Sequence, residues 1–557
     1  MDFLVDQALG SVKNGETTVT DAETSKHDAI IIGAGVTGIY MLHRLREQGL
    51  NATVLEAGEG PGGTWYWNRY PGARFDSESY SYGYSFDKDI LAEWNWSEHF
   101  AAQPETLEYL NFVTDKLDLR KDMQFDCRVV SAKFDEATSH WQVKTQDGRT
   151  LTCRFLLTAI GMLSAATMPR IKGVETFEGK SHHTYYWPKD STVELAGKKV
   201  AVVGTGATGV QVISDIAAKV GDLTVFQRRP NWCAPLNNAK IDDETQTKIK
   251  ASYDDIFARL KETHGGFLHG VLGRSYDDDT PQERLAHWEK IYAEPGFGVW
   301  FDNYAEVLLL PDANEDYSNF IAGKIRERVT DQDVAEKLIP KDHGFGSRRV
   351  PLETRYYEAY NQPNVHLIDV KETPIQEITP RGIRTTDKDY DFDLIIYATG
   401  FDAITGAFDR IVFEGVDGQK LGDKWEDGPI TSYGLQSVGF PNLFLLAGPQ
   451  SASVSSNFPP AIEACVNWTS DLIAHMGQQG LTRVEAKPQA EDAWLEAIKE
   501  SYVGSLLASS KSWFTGYNSN IDDHDKMRYM IFLRGAPAYR QALTEETESG
   551  YTGFDLS

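Results

Sequence analysis

Ala29-Ile-Ile-Ile32-Gly33-Ala-Gly35-Val-Thr-Gly38 is the stretch on which the fold turns. A short apolar run of the buried-strand kind meets Gly-x-Gly-x-x-Gly, and a helical pattern follows through Ile39, Leu42 and Leu45 as far as Gly49. The next strand, Ala52-Thr-Val-Leu-Glu56, ends in an acid 23 residues after Gly33. Three glycines alone would be weak evidence. Between a strand and a helix, Gly33, Gly35 and Gly38 permit a tight turn and close backbone approach to a pyrophosphate. The helix N-terminus, with Thr37 in its first turn, supplies N–H donors, and Glu56 is placed to accept from ribose hydroxyls.

The pattern recurs. Lys199-Val-Ala-Val-Val203 runs into Gly204-Thr205-Gly206-Ala207-Thr208-Gly209, then a helix through Val212, Ile213 and Ile216, then the strand Leu223-Thr-Val-Phe-Gln227. Where the first unit has Glu56, the second has Gln227 followed by Arg228 and Arg229. A carboxylate there would repel a 2′-phosphate, whereas guanidinium forks grip one bidentately. The first unit is therefore expected to bind FAD and the second NADPH rather than NADH. The plainer alternative for Arg228 and Arg229 is a solvated surface pair.

These units predict an α/β chain with two Rossmann-like dinucleotide-binding domains. Helical periodicity around Ile256 and Leu260, then Leu285, Trp288 and Ile291, then Phe320, Ile321 and Ile325, marks a helical insertion. The expected division is an N-terminal extension (1–27), a FAD-binding domain in two parts (28–165 and 389–557), an NADPH-binding domain in two parts (166–230 and 341–388) and the insertion (231–340). On this division the strand-like Asp391-Phe-Asp-Leu-Ile-Ile-Tyr-Ala-Thr-Gly400 returns to the flavin domain, as does Phe440-Pro-Asn-Leu-Phe-Leu-Leu-Ala-Gly448.

Composition narrows the class. In 557 residues, 55 basic side chains face 82 acidic ones, a net charge of −27 that disfavours nucleic acid and anionic membrane surfaces. The four cysteines, Cys127, Cys153, Cys233 and Cys465, form no Cys-x-x-Cys pair. That argues against a disulfide framework, a zinc site and a dithiol flavin reductase, and no metal is expected. No apolar run has membrane-spanning length, and the first residues, Met-Asp-Phe-Leu-Val-Asp, lack the bases of a signal peptide. A soluble, cytoplasmic chain follows, with a monomer or weak homo-oligomer as the expected state.

Three further stretches carry chemistry. Between the Gly-rich turns lies Phe177-x-Gly179-x-x-x-His183-x-x-x-Trp187-Pro188. After the first unit comes Gly62-Gly63-Thr64-Trp65-Tyr-Trp-Asn-Arg-Tyr70-Pro71-Gly72-Ala-Arg-Phe-Asp76, whose acid needs a partner if buried among aromatics. After the insertion, Arg348-Arg349 precedes Tyr356-Tyr357 with six residues between. Each has a bland reading: a loop packed into a domain seam, an aromatic core, a solvated basic pair.

Together these stretches resemble the type I Baeyer–Villiger monooxygenases, of the phenylacetone and cyclohexanone monooxygenase type, over nearly the whole chain from about residue 27. The resemblance implies FAD, NADPH, O2 and a ketone: a flavin peroxide inserts one oxygen atom beside the carbonyl, giving an ester or lactone. It assigns catalysis to Arg349, with Asp76 as the candidate that orients it and is kept ionised by it. It implies FAD contacts at Gly33, Gly35, Thr37, Gly38, Glu56, Gly63, Thr64, Trp65, Asp76, Tyr82 and Val129. NADP contacts are implied at the 204–209 turn, Arg228, Arg229, Arg348, Arg349 and Trp513. Arg348 stands where the family more often has Lys. Phe177, Gly179, His183, Trp187 and Pro188 become the fingerprint joining the nucleotide domains, and Val454, Ser455, Phe458 and Trp513 line the ketone pocket. A flavin monooxygenase oxidising sulfur or nitrogen, or a non-oxygenating NADPH–flavin electron carrier, remains the alternative. The wider flavin monooxygenases usually have Phe or Tyr at Trp187-Pro188.

Overall fold

The computed structural model describes residues 25–189, 193–521, 524 and 526–557. Most of the expected extension lies outside them, but its last residues do not. The first strand already begins at Ser25, where Ser25 pairs with Leu151, so the fold starts slightly before the expected boundary.

Two parallel-centred sheets organise the chain. The first runs, strand by neighbouring strand, through Val412–Glu414, Val129–Asp135, His140–Thr145, Thr150–Thr158, Ser25–Ile32, Ala52–Leu55 and Met123–Gln124, with Leu443–Leu445 also on Thr150–Thr158. The second orders Val365–Asp369, Asp222–Gln227, Lys199–Val203, Leu394–Tyr397 and Lys180–His183, all parallel. Sheets covered on both faces use continuous apolar runs, and the side chains of Ile30, Ile31, Val200 and Val202 are wholly buried.

The second sheet corrects the expected domain division. Leu394–Tyr397 does not return to the first sheet; it lies between Lys199–Val203 and Lys180–His183. The reason is a repeated local geometry. In the first unit, Gly33 (φ +104°) is so close to Ala159 that a Cβ would stand 2.5 Å from its carbonyl oxygen. In the second, Gly204 (φ +110°) meets Ala398 in the same way, at 2.4 Å. Ala-Ile-Gly161 after the strand Thr150–Thr158 and Ala-Thr-Gly400 after Leu394–Tyr397 thus play one part in two units, each backing its own Gly-rich turn. The expected boundary at 388/389 falls inside the second unit.

The insertion is helical as expected, with helices at Tyr253–Glu262, Pro281–Ala293 and Pro311–Arg328. It is closed at its base: Ala234–Pro235, where it leaves, pairs with Leu352–Glu353, just after it returns. That short ladder fixes Arg348 and Arg349 beside the exit. Among the described residues no helix is long and apolar enough to cross a membrane, and no group of three or more His, Cys, Asp or Glu could hold a metal ion.

Candidate active site

At each Gly-rich turn the helix N-terminus is left open. Gly35 and Gly206 cap the helices Val36–Glu47 and Ala207–Ile216 with extended backbone, no side chain bonds the first N–H groups, and neither first turn carries an acid. Unsatisfied donors at the positive end of a helix fit an anionic ligand. Gly206 and Ala207 are exposed, and space beside Gly161, Gly206 and Gly400 is open. The residues present therefore fit a dinucleotide at each turn.

Around the first turn, Gly63 is folded onto Gly35 so closely that a Cβ on it would stand 2.7 Å from the Gly35 Cα. The stretch after Gly63 opens the short helix Thr64–Trp67, with Thr64 exposed and Trp65 buried. Trp65 donates from Nε1 to the Tyr82 hydroxyl at 3.3 Å, and Phe75 stacks on Tyr82 with centroids 4.4 Å apart. Thr37 and Gly38 are buried in the helix, and Val129 is buried at the start of its strand. Glu56 has a second employment that the strand-end reading missed. Its two oxygens accept from the N–H groups of Ala34 (2.8 Å) and Gly58 (2.7 Å), so it braces the turn itself. Burial pushes its carboxyl up, and the lone pair left on each oxygen is what a ribose would meet.

The second turn is tied to its arginines, since Thr205 Oγ1 donates to the Arg229 carbonyl at 2.9 Å. Arg229 and Arg348 converge on Asp342, at 4.0 and 3.5 Å, although they are 119 positions apart. Arg228 lies beside them, exposed. Among the described residues the buried Nε of Arg348 has no hydrogen-bond partner. A cluster of three guanidiniums with one carboxylate and an unsatisfied buried donor fits a phosphate group. Asp342 escaped the sequence reading; its only signal was an acid six residues before a basic pair.

The two units meet over the Tyr70–Asp76 loop. Tyr70 donates to Gln211 Oε1 (2.8 Å), and Gln211 Nε2 donates to the Arg74 carbonyl (3.0 Å), which holds the loop on the helix Ala207–Ile216. At its end Asp76 is buried, and Arg349 donates from Nη2 to Asp76 Oδ2 at 2.8 Å across 273 positions. The Leu352 N–H donates to the same oxygen at 3.2 Å. The Arg349 plane is held further by the Phe297 ring, 4.9 Å from Cζ to centroid, and by a bond from Nη1 to the Val350 carbonyl. Asp76 Oδ1 is buried without a partner among the described residues. Burial pushes the Asp76 carboxyl up, and Arg349 and the Leu352 N–H offset this only in part.

The fingerprint divides by task. Phe177 folds back over Gly179, where a Cβ would stand 2.4 Å from the Phe177 ring. His183 ends the edge strand Lys180–His183 and accepts at Nδ1 from the Tyr185 N–H at 3.1 Å. Trp187 is buried in the second core, with Pro188 half-buried after it. Tyr185 stacks on Trp67 with centroids 5.5 Å apart, so the stretch touches the Gly62–Trp67 segment directly. Burial pushes His183 down to about 4, which leaves it neutral at pH 7. His183→Ala is therefore expected to slow flavin reduction and ester formation by comparable factors without moving the pH–rate profile. Loss of an ionisation from that profile would make it an acid–base group instead.

In the last segment Val454 is buried in the first core, while Phe458 and Trp513 pack half-buried against it. Ser455 Oγ donates to the Phe532 carbonyl at 3.0 Å. Trp513 borders a small cavity with Phe401, Asp402, Tyr517 and Arg528.

Comparison with known proteins accords with this geometry. Residues 30–265 match the pyridine nucleotide-disulphide oxidoreductase family, although all four cysteines here are free and buried. The chain is 44% identical over 541 residues (96% of this chain, 99% of the other) to a 2-oxo-Δ3-4,5,5-trimethylcyclopentenylacetyl-CoA monooxygenase of Pseudomonas putida. It is 40% identical over 544 residues (97% and 98%) to a Baeyer–Villiger monooxygenase of Pseudooceanicola batsensis. A crystal structure of OTEMO in complex with FAD and NADP superposes with a TM-score of 0.92 at 44% identity, covering 96% of this chain and 100% of that one. With two separately built dinucleotide turns and an Arg349–Asp76 pair between them, this chain belongs to the Baeyer–Villiger monooxygenases.

Proposed function

We propose that the chain converts a ketone, O2, NADPH and a proton into an ester or lactone, NADP+ and water, with Arg349 at the reacting centre. The observation that carries the reading is the Arg349 guanidinium held 2.8 Å from the buried Asp76, where the two units meet. Bound FAD, reduced by NADPH, supplies the oxygen-activating chemistry. The chain's own residues supply the rest. The turns at Gly33–Gly38 and Gly204–Gly209 bind pyrophosphates on open helix ends, for FAD and NADPH respectively. Arg228, Arg229 and Arg348 hold the 2′-phosphate. Arg349 stabilises negative charge as it passes from the donated oxygen to the former carbonyl oxygen, and Asp76 fixes its plane.

In domain terms, we assign the first sheet to FAD and the second, including Leu394–Tyr397, to NADPH. The relatives above are monooxygenases by name, so the electron-carrier alternative lacks support. The direct test is ketone-dependent NADPH oxidation with the ester identified by mass spectrometry. Oxidation of a sulfide or amine with no ester from any ketone would favour the other flavin monooxygenases.

The ketone pocket is assigned to Val454, Ser455, Phe458 and Trp513. Phe458 offers the cleaner test, because shrinking the buried Val454 also costs core packing, about 1 kcal/mol or more. Phe458→Ala and Phe458→Leu are expected to reorder preferences across a ketone panel while NADPH oxidation without ketone is unchanged. An unchanged order would move the pocket elsewhere.

A further inference from the structure

A chain of three ionisable groups, buried at Glu78 and half-buried at His269 and Asp302, lies close to the Arg349 site and outside every motif of the sequence. His269, on the loop after the helix Tyr253–Glu262, bonds through Nε2 to Glu78 Oε1 at 2.7 Å and through Nδ1 to Asp302 Oδ2 at 2.5 Å. Asp302 also accepts from the Gly270 N–H at 2.8 Å. Glu78 is two residues beyond Asp76 on the same loop, and both carboxylates are buried. Asp302 and His269 belong to the insertion. The chain therefore joins the loop that carries Asp76 to a separate body of the fold.

The other side of Arg349 is reached from the same cluster. Phe297, whose ring lies under the guanidinium, stands between Gly296 and Gly298. A Cβ on Gly296 would come within 2.7 Å of Glu78 Oε1 and 3.2 Å of His269 Nε2. One on Gly298 would come within 3.0 Å of Asp302 Oδ2 and 3.4 Å of His269 Nδ1. The Phe297 turn thus wraps the imidazole, and only glycines permit that approach. Both side-chain contacts that orient Arg349, the Asp76 carboxylate and the Phe297 face, start within two residues of groups touching His269.

We infer that His269 is a positioning residue for oxygen insertion: bridging Glu78 and Asp302, it locks the Asp76 loop against the Phe297 turn and so sets the plane of Arg349. The inference rests on the reading of Arg349 as the charge-stabilising group. Two hydrogen bonds to two carboxylates require both ring nitrogens to donate, which is the imidazolium form. Burial works against that charge, but the bonds and charges of Asp302 and Glu78 outweigh it and push His269 up to about 10. Asp302 is held below its ordinary value: burial raises it, and the bond and charge from His269, the Gly270 N–H and the Arg259 charge together lower it by more. The other ionisable groups facing the cluster are Arg259, whose charge acts on Asp302, and His99 and Tyr80, which feel Glu78; His287 donates from Nε2 to the Asp302 carbonyl.

The test compares His269→Gln, Asp302→Asn and Arg349→Ala with the wild type. Thermal unfolding reads the charge without catalysis. A His raised in the folded state stabilises fully below pH 6.5 and loses that contribution as pH rises to about 10. The midpoint gap between wild type and His269→Gln is thus expected to be widest at pH 6.5 and to shrink toward pH 10. In the assay, His269→Gln should keep FAD and be reduced by NADPH anaerobically within about twofold of wild type. Its ester per NADPH should fall about tenfold or more, with hydrogen peroxide accounting for the difference, and kcat for the ester should fall while the ketone KM holds. Asp302→Asn should move the same way by less. A wild-type ester yield in His269→Gln, beside an Arg349→Ala that makes none, overturns the positioning role alone. Wild-type ester from Arg349→Ala overturns the reading beneath it. Equal loss of reduction and ester formation, loss of FAD from both cluster variants, or a midpoint gap that ignores pH would reduce the cluster to a structural clamp and end the proposal.

Discussion

Arg349→Ala is expected to yield a protein that folds, retains FAD and is reduced by NADPH, yet forms no measurable ester. During the insertion, negative charge develops first on the incoming oxygen and then on the former carbonyl oxygen. A guanidinium is protonated at every working pH, so it can stabilise both positions without moving a proton. Losing one such preorganised donor typically lowers turnover by about 10²–10³-fold, and losing a full charge lies at or beyond the upper end. The geometry supports preorganisation: Asp76 at 2.8 Å, the Phe297 face at 4.9 Å and the Val350 carbonyl hold the group from three sides. Asp76→Ala should reduce ester formation in the same direction but less, since the Phe297 contact survives. Folding must be checked separately, because removing Arg349 leaves Asp76 buried beside an empty site. FAD absorbance and the thermal midpoint serve for that. If Arg349→Ala turns ketone into ester at near wild-type rate, the pair is a structural salt bridge and no more.

Coenzyme choice should change with the guanidinium cluster. Arg228→Ala or Arg229→Ala is expected to raise the KM for NADPH by about 10- to 150-fold and to leave that for NADH nearly unchanged. Each lost charge-assisted bond to a phosphate costs about 1.5–3 kcal/mol. The structure enlarges the set, for Arg229 and Arg348 share Asp342, so Arg348→Ala should belong to the same class. Steady-state kinetics with both coenzymes decides the matter. Equal weakening toward NADPH and NADH would mean that the arginines shape the fold rather than read the phosphate.

Some of this site was legible in the chain because its physics is local. A turn that needs positive φ and no Cβ writes itself as glycine, so Gly33 and Gly204 marked both units at once. The acid-versus-arginine contrast after the second strand was equally readable, whereas Arg349 ahead of Tyr356-Tyr357 was singled out by the family resemblance. Its pairing with Asp76 could be anticipated because a carboxylate buried among aromatics needs a cation.

What escaped was decided by contact between distant segments. Leu394–Tyr397 is as apolar as any first-sheet strand, and nothing in its own residues says which edge it joins. Its place follows from the Ala398 backbone fitting against Gly204, an approach that exists only once both segments are folded. Glu56 read as a ligand group and is also a brace, because the N–H groups of Ala34 and Gly58 arrive by way of the turn. Asp342, Phe297 and the Glu78–His269–Asp302 chain carry no motif at all. By itself, then, the sequence determined the two Gly-rich turns and the charge contrast between Glu56 and Arg228-Arg229, since short-range backbone sterics and charge identity suffice for those, while Arg349 and Asp76 were singled out by the family resemblance. The tertiary structure alone decided strand membership and what besides Asp76 holds Arg349 in its plane, because burial and contact geometry among residues far apart in the chain exist only in the assembled fold.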